Sequence, residues 1–382
     1  MKREKTVPLM FILLLSTGLV AHLLWPDRAF SESENRSLQQ WPAFSRTSLF
    51  SGDYTSALAQ YVGDQFPARD FWIGLKTGWE LALRKRDNGR VLFGKDGQLF
   101  EYLPPSSLSA ERIEENIGAV SDFLSLTRER YPAVQTSVLL APTADAVLTD
   151  RLPANAPVPD QAGIARRLRE ALSVSVPFCD PTAALTAHAE ESIYFRTDHH
   201  WTADGAYYAY AAWAETIGLT PLTADQFSRE IVSGQFRGTL YSKANWPQLQ
   251  PDTLIAWRHP GDTACRRTSD GGHTVISSLY AEEALATKDQ YAYFLGGTQP
   301  LTEISTGVQN GRTLLILKDS YAHAMAPFLA CHYETILAVD LRYYRENLFS
   351  LIESRDVTDL MVLYNAVTFA QDASVAPLLS LY

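Results

Sequence analysis

The order of apolar runs and helical segments constrains the fold of this chain more than any other feature. Strand-like runs occur at VQTSVLLAP, VSVPFCD and SIYFR, and again near the C-terminus at TLLILKDS, ETILAVDLR and VTDLMVLYN. Segments with helical spacing of apolar residues separate them, near 110–130, 161–172, 203–217 and 343–353. Strands that alternate with helices predict an α/β fold, in which a mostly parallel sheet is flanked by crossover helices.

The regions before and inside this alternation have other patterns. The stretch GRVLFGKDGQLFEYL alternates like a hairpin that turns at Lys95-Asp96-Gly97, because Asp-Gly accommodates the positive φ of a tight turn. We therefore expect a globular domain over 89–382, preceded by a connector and helical lead-in over 27–88. Within the domain, Gly and Pro punctuate 220–311 between short strand-like pieces, which predicts a β-rich insertion or subregion.

The N-terminus has the features of a membrane anchor. Three basic residues, Lys2, Arg3 and Lys5, precede an apolar run over 7–25, close to the roughly 20 residues that cross a bilayer. The run reaches Pro26 without a small-x-small cleavage site, which favours an uncleaved signal anchor over 1–26. Basic residues before the run and acidic residues after it predict a single-pass cell-membrane protein with an extracytoplasmic main domain. A cleaved signal peptide would leave the compartment unchanged.

Charge and cysteine content exclude several classes of protein. The formal charge is −10, from 33 Lys and Arg against 43 Asp and Glu, and no basic stripe offsets it, so we expect no nucleic-acid partner. The three cysteines, Cys179, Cys265 and Cys331, form no CxxC pair. Neither a disulfide scaffold nor a cysteine zinc site can therefore organise this fold.

Two segments combine residues suited to nucleophilic catalysis. Ser320 follows an apolar run and precedes a helical segment, a position where α/β sheets place ligands and where helix amides can stabilise an oxyanion. On this feature alone the serine is better explained as a helix N-cap. In the second segment, extended backbone would place Asp198 and His200 on one side and His199 on the other. The carboxylate could then hold the imidazole as a base, giving two members of a triad.

The motifs around these residues resemble those of a known family. TDHHWT is followed by GAYYAY, with ENRSL and DQFPARD upstream and KDSY and VDLRYY downstream. These strings resemble the DHHW family from about Glu34 to the C-terminus, and that family is similar to the SGNH-hydrolase-like domain of alginate and polysaccharide O-acetylation proteins. The resemblance implies an SGNH-hydrolase-like domain with Asp198 as orienting group, His200 as base and Ser320 as nucleophile.

The resemblance also implies an activity and its partners. Related enzymes move acetyl groups onto sugar hydroxyls, so we expect a serine O-acetyltransferase or acetylesterase that acts on a cell-envelope or secreted polysaccharide. No metal or organic cofactor is implied. Because acetyl-CoA is cytoplasmic, a membrane-bound O-acyltransferase is expected to pass acetyl groups outward to this protein.

The oxyanion hole is the incomplete part of the resemblance. SGNH sites use a Gly amide and an Asn side chain, whereas FLGGTQP offers Gly297 and then Thr298. We expect either that Thr298 serves as the donor, that another residue such as Asn365 does, or that the enzyme is slow. Trp201 is expected to pack under the triad or to support a sugar ring.

Two alternatives remain open. The chain could be a catalytically weak carbohydrate-binding or scaffolding subunit of an O-acetylation complex, which Thr298 in place of Asn favours. It could also be a metal-dependent hydrolase whose ligands are Asp198, His199 and His200 with Asp340 or His323. The metal hypothesis is the weaker, because adjacent histidines rarely bind one ion and no HExxH spacing is present.

Overall fold

The chain forms two compact units. The computed structural model describes residues 2–31, 36–269, 271 and 274–382, and residues 32–35 of the expected connector lie outside the described residues. The first unit comprises Met1–Asn88 with Tyr241–Gln248, and the second comprises Gly89–Leu240 with Leu249–Tyr382.

The first unit is mainly helical. Its elements are, in chain order, α1 (Lys2–Leu24), β1 (Phe30–Ser31), β2 (Arg36–Ser37), α2 (Arg46–Ser51), α3 (Asp53–Asp64) and α4 (Arg69–Ala82). Among the described residues, one stretch, Val7–Leu24 of α1, is long and apolar enough to cross a membrane. An N-terminal signal sequence would meet the same criterion.

The second unit contains the remaining strands and helices. In chain order they are β3 (Val91–Phe93), β4 (Leu99–Glu101), α5 (Ala110–Arg130), β5 (Gln135–Ala141), α6 (Ala144–Val147), α7 (Gln161–Ala171), β6 (Phe178–Cys179), α8 (Thr182–Thr186), α9 (Ala203–Thr216), β7 (Ser228–Phe236), α10 (Thr239–Ala244, which begins here and ends in the first unit), β8 (Asp252–Arg258), β9 (Arg266–Ser269), β10 (Thr274–Ile276), β11 (Leu301–Ser305), β12 (Thr313–Lys318), α11 (Ala322–Leu329), β13 (Thr335–Val339), α12 (Leu348–Ser354), β14 (Asp359–Asn365), α13 (Ala366–Gln371) and α14 (Val375–Leu379).

A mixed sheet of eight strands forms the centre of the second unit. Its strand order is β10-β9-β11-β13-β12-β14-β5-β6. The five strands from β13 to β6 are parallel, whereas β11, β9 and β10 are antiparallel. The prediction of an α/β fold with a mostly parallel sheet is therefore confirmed.

The central strands are apolar because both faces of the sheet are covered. In β12, Leu314 and Ile316 belong to the core on one face, and Leu315 and Leu317 belong to the core on the other. Successive side chains of a strand point to opposite faces, so a strand buried on both sides reads as a continuous apolar run.

The stretch 220–311 contributes to the structure in two ways. Strands β7 and β8 form a separate antiparallel hairpin, whereas β9, β10 and β11 extend the main sheet along one edge. Upstream, the turn of the β3–β4 hairpin has positive φ at Asp96 (56°) and Gly97 (75°), as the sequence predicts.

Two expected strands are shorter than their apolar runs. VSVPFCD pairs with the sheet only at Phe178–Cys179. SIYFR forms a single bridge between Tyr194 and Trp201, because the chain reverses there instead of continuing as a strand.

Candidate active site

Ser320 lies at the C-terminal end of β12, in the turn that leads into α11. The carboxylate of the preceding residue caps this turn, since Asp319 Oδ1 accepts the Tyr321 amide at 2.9 Å. The Ser320 carbonyl accepts the His323 amide at 3.1 Å, and the Ser320 hydroxyl faces His200 Nε2 at 2.7 Å. The N-cap position of α11 is Tyr321 and no side-chain hydrogen bond caps this helix, so N-capping does not explain the serine.

A tight reversal of the chain presents His200 to the serine. The Phe195 amide donates to the His200 carbonyl at 3.2 Å, and the Thr202 amide donates to the Ile193 carbonyl at 3.0 Å. Residues 196–200 are bent, so our assumption of extended backbone at this point is wrong. The bend nevertheless brings Asp198 Oδ1 to the His200 amide (3.1 Å) and to His200 Nδ1 (2.5 Å).

These contacts fix the tautomer of His200. A carboxylate can only accept, so Nδ1 carries the proton that is donated to Asp198, and Nε2 is left to accept from the Ser320 hydroxyl. The structure thus brings Asp198, His200 and Ser320, the three residues predicted to be catalytic, into one hydrogen-bonded chain. This arrangement can remove a proton from the serine as its oxygen attacks a carbonyl carbon.

Residues after β7 support the Asp198 carboxylate. Its Oδ2 accepts the Thr239 amide at 2.7 Å and the Thr239 hydroxyl at 3.1 Å. The backbone of Gly238 passes so close to this carboxylate that a Cβ there would collide with it. Burial alone would raise the pKa of Asp198, but the charges of His199 and His200 and these hydrogen bonds outweigh it and hold the pKa below its usual value.

His199 lies beside the triad, and our expectation that it points away is wrong. Its Nδ1 is 2.7 Å from the Thr239 hydroxyl and 3.6 Å from Asp198 Oδ1. The rings of His199 and His200 are 3.9 Å apart between centroids. The bend at 196–200 places both imidazoles on the same carboxylate.

Asp198, His199 and His200 are close enough together to be considered as metal ligands. However, Asp198 and His200 already share a hydrogen bond, and a cation at this position would displace the Nδ1 proton. The other ligands of that hypothesis have cationic neighbours: His323 Nε2 is 2.9 Å from Lys318 Nζ, and Asp340 pairs with Arg342 at 2.6 Å. The contacts of these residues therefore favour a proton relay over an ion site.

Two tyrosines that were not among the predicted site residues, Tyr291 and Tyr321, connect the segments of the site. The ring of Tyr291 stacks on His200 at 3.7 Å and 8°, and its hydroxyl donates to the Ser320 carbonyl at 3.2 Å. The Tyr321 hydroxyl donates to the His199 carbonyl at 2.6 Å. KDSY drew attention to Tyr321 as part of a motif, whereas nothing in the sequence around Tyr291 indicates a contact with His200.

Trp201 supports the site from within the core. Its side chain is fully buried, and Nε1 donates to the Tyr321 carbonyl at 3.0 Å. The ring packs against Tyr321 at 4.7 Å. The indole thus packs against the residue that follows Ser320, and no face of it is open to a sugar ring.

The expected oxyanion donors are not part of this network. Among the described residues, no hydrogen bond joins Gly297 or Thr298 to Ser320 or His200, and Thr298 is exposed. The side-chain amide of Asn365 also has another partner, since it donates to Asp319 Oδ2 at 2.7 Å. The Ser320 amide donates to no group in the described part of the chain, which leaves it available to a developing oxyanion.

Buried charges lie directly behind the nucleophile. Burial raises the pKa of Asp319 to about 6 although the Asn365 and Tyr321 amides donate to it. Burial also lowers the pKa of Lys318 to about 8, against the opposing charge of Asp340. The pKa of His323 is likewise lowered by burial and by Lys318, so this histidine is held neutral.

The comparisons with known proteins agree with this geometry. The DHHW protein family model matches residues 138–339, more than half of the chain and the part that contains Asp198, His200 and Ser320. The chain belongs to the DHHW family. No curated protein matches it.

Solved structures share the fold of this DHHW protein. A DHHW family protein from Eubacterium siraeum has 25% sequence identity and a TM-score of 0.62, over 75% of this chain and 97% of the other. PatB1 from Bacillus cereus has 22% identity and a TM-score of 0.62, over 74% and 97%. PatB1 has also been solved with a sulfonyl adduct. The O-acetyltransferase domain of Pseudomonas putida AlgJ is more distant, with 16% identity and a TM-score of 0.47, over 77% and 99%.

Proposed function

We propose that this DHHW protein is a serine-dependent O-acetyltransferase or acetylesterase that acts outside the cytoplasm on a cell-envelope or secreted polysaccharide. The observation that carries the proposal is the chain of hydrogen bonds from Asp198 through His200 to Ser320. The resemblance to O-acetylation proteins selects acetyl groups and sugar hydroxyls from the acyl transfers that such a triad can perform.

In the first half of the reaction, Ser320 Oγ attacks the acetyl carbonyl carbon of the donor while its proton passes to His200 Nε2. Asp198 stabilises the resulting imidazolium through Nδ1. The Ser320 amide donates to the oxyanion. The tetrahedral intermediate then collapses, the bond to the leaving group breaks, and His200 returns the proton to that group.

In the second half, a sugar hydroxyl or water attacks the acetyl-Ser320 ester. His200 Nε2 removes the proton from the attacking oxygen, and the serine leaves as its alkoxide and recovers that proton. Transfer yields an acetylated sugar and hydrolysis yields acetate, with Ser320 restored in both cases. A membrane-bound O-acyltransferase would supply the acetyl groups, and α1 would anchor this protein in the same membrane.

The test uses the full chain in detergent with p-nitrophenyl acetate. Nitrophenol release and intact mass are followed for wild type, Ser320→Ala and His200→Ala, with His188→Ala as a control because that histidine is partly exposed and pairs only with surface groups. We expect release and an acetyl adduct in wild type and His188→Ala, and a loss of about 10⁴-fold or more in both triad variants. A sulfonyl fluoride should add to wild type and His188→Ala, and to neither Ser320→Ala nor His200→Ala.

The scaffolding alternative retains one supporting observation, the absence of Gly297 and Thr298 from the hydrogen bonds of the described site. If the chain is a binding subunit, wild type and Ser320→Ala should bind oligosaccharides equally well, and neither should form an adduct. Equal nitrophenol release by wild type and Ser320→Ala, with the membrane partner present, would favour that alternative.

A further inference from the structure

Helix α4 exposes a continuous apolar stripe. Phe71, Leu75, Trp79 and Leu83 follow each other at every fourth position, and each is between 53% and 68% exposed. Residues at i and i+4 lie on one face of a helix, so these four side chains, here called the α4 stripe, form one surface about 18 Å long. An exposed apolar surface of this kind marks a site of interaction.

The flank of α4 beside the stripe, at Gly74 and Gly78, is packed against residues 246 and 247. Pro247 lies against Gly74, and a Cβ on Gly78 would come within 2.8 Å of the Trp246 ring. The helix therefore cannot rotate to bury the α4 stripe within its own unit. Between the stripe and residues 246–248 a groove of about 460 Å³ remains, with largely apolar walls.

The beginning of α4 is tied to the end of α1. Trp25, directly after the apolar run of α1, lines the same pocket as Phe71. Arg28 pairs with Asp70 at 3.0 Å, and its amide donates to Gln65 at 2.9 Å. The residue that begins the α4 stripe thus lies beside the point where the candidate membrane helix ends.

The side chains around the stripe suit a lipid headgroup region. Trp and Phe favour the membrane interface, and basic residues near it attract anionic lipids. Lys76 is exposed on α4, and the basic run Arg84-Lys85-Arg86 directly follows Leu83. We propose that the α4 stripe lies in the interface of the anionic bilayer that α1 crosses. This inference rests on the anchoring role proposed for α1.

The test uses the full chain, reconstituted in vesicles of phosphatidylcholine and phosphatidylglycerol, with a polarity-sensitive fluorophore on a single cysteine. Cys331, the native cysteine that is not fully buried, is first replaced by Ser. The probe positions are Leu75→Cys in the stripe, Val174→Cys as a 90% exposed control in the second unit, and Leu19→Cys within α1. We expect a blue shift and quenching by headgroup-labelled spin lipid at Leu75→Cys, but not at Val174→Cys.

The label in α1 separates the proposal that α1 is a membrane anchor from the proposal that the α4 stripe contacts the bilayer. If the label at residue 19 contacts lipid while the label at residue 75 behaves like that at 174, the inference is overturned and the anchor stands. A label at residue 75 that is shielded from water-soluble quenchers without lipid quenching would also overturn it, because a protein would then cover the stripe. Absence of lipid contact at residue 19 would overturn both proposals, and nitrophenol release by the same samples reports separately on the catalytic proposal.

Discussion

Replacement of Gly238 by alanine should damage the active site although no member of the triad is replaced. The backbone conformation of Gly238 is open to any residue, since its φ is not positive. Its new Cβ, however, would lie 2.5 Å from the Asp198 carboxyl carbon. Carbon atoms need about 3.5 Å, so the carboxylate or the loop must move by about 1 Å. A displacement of that size in a catalytic group costs about 100-fold in rate, or about 3 kcal/mol in the barrier.

The assay is kcat/KM with p-nitrophenyl acetate, measured beside thermal unfolding. The displaced carboxylate also loses the Thr239 amide, a hydrogen bond worth about 1 kcal/mol, so we expect a small loss of stability and a folded protein. Gly234→Ala is the matched control, because nothing lies within 4 Å of a Cβ at that position. Wild-type turnover by a folded Gly238→Ala protein would refute the argument that Asp198 must be held in this geometry.

Three further results are expected. Tyr291→Phe keeps the ring on His200 but removes the hydrogen bond to the Ser320 carbonyl, so kcat should fall by about 3- to 10-fold with little change in KM, measured by steady-state kinetics. Because burial lowers the pKa of Lys318 to about 8, the cost of burying its charge is fully present below pH 8 and disappears as pH rises towards 10.5. Denaturant unfolding should therefore show the stability of wild type rising by up to about 3 kcal/mol over this range relative to Lys318→Met, and parallel curves would contradict the assignment. Nitrophenol release should survive EDTA, whereas loss of activity restored by a divalent metal would return the metal hypothesis to first place.

The sequence predicted the parts of this site that local patterns determine. Ser320 stands out because β12 is an unbroken apolar run that ends just before it. Asp198 and His200 stand out because their spacing allows one side chain to hold the other. The contact survived although the backbone is bent instead of extended, since the bend makes Asp198 accept both the amide and the ring of the same histidine.

The remaining parts depend on contacts that no local pattern contains. Thr239 and Tyr291 stand 41 and 91 residues after Asp198 and His200, respectively, in a stretch whose sequence pattern does not indicate a contact with the site. Thr298 was selected by analogy with an Asn, whereas the contact that the structure shows between this segment and the site is the stacking of the Tyr291 ring on His200. The length of SIYFR as a strand was overestimated for a related reason, since Thr197 donates to Asp252 and helps the chain reverse.

These contacts change the interpretation of the stretch 220–311. The sequence pattern predicts a β-rich insertion or subregion there. In the structure, Thr239, which follows β7 in the chain, donates to the Asp198 carboxylate. Tyr291, which precedes β11, stacks on the His200 imidazole. In the proposed mechanism both contacts act on groups that carry the proton transfer, so changes in this stretch should alter the catalytic rate. A shortened 220–311 would leave Asp198 with its burial but without the Thr239 amide, and a buried carboxylate with fewer donors has a higher pKa and orients the imidazole less well.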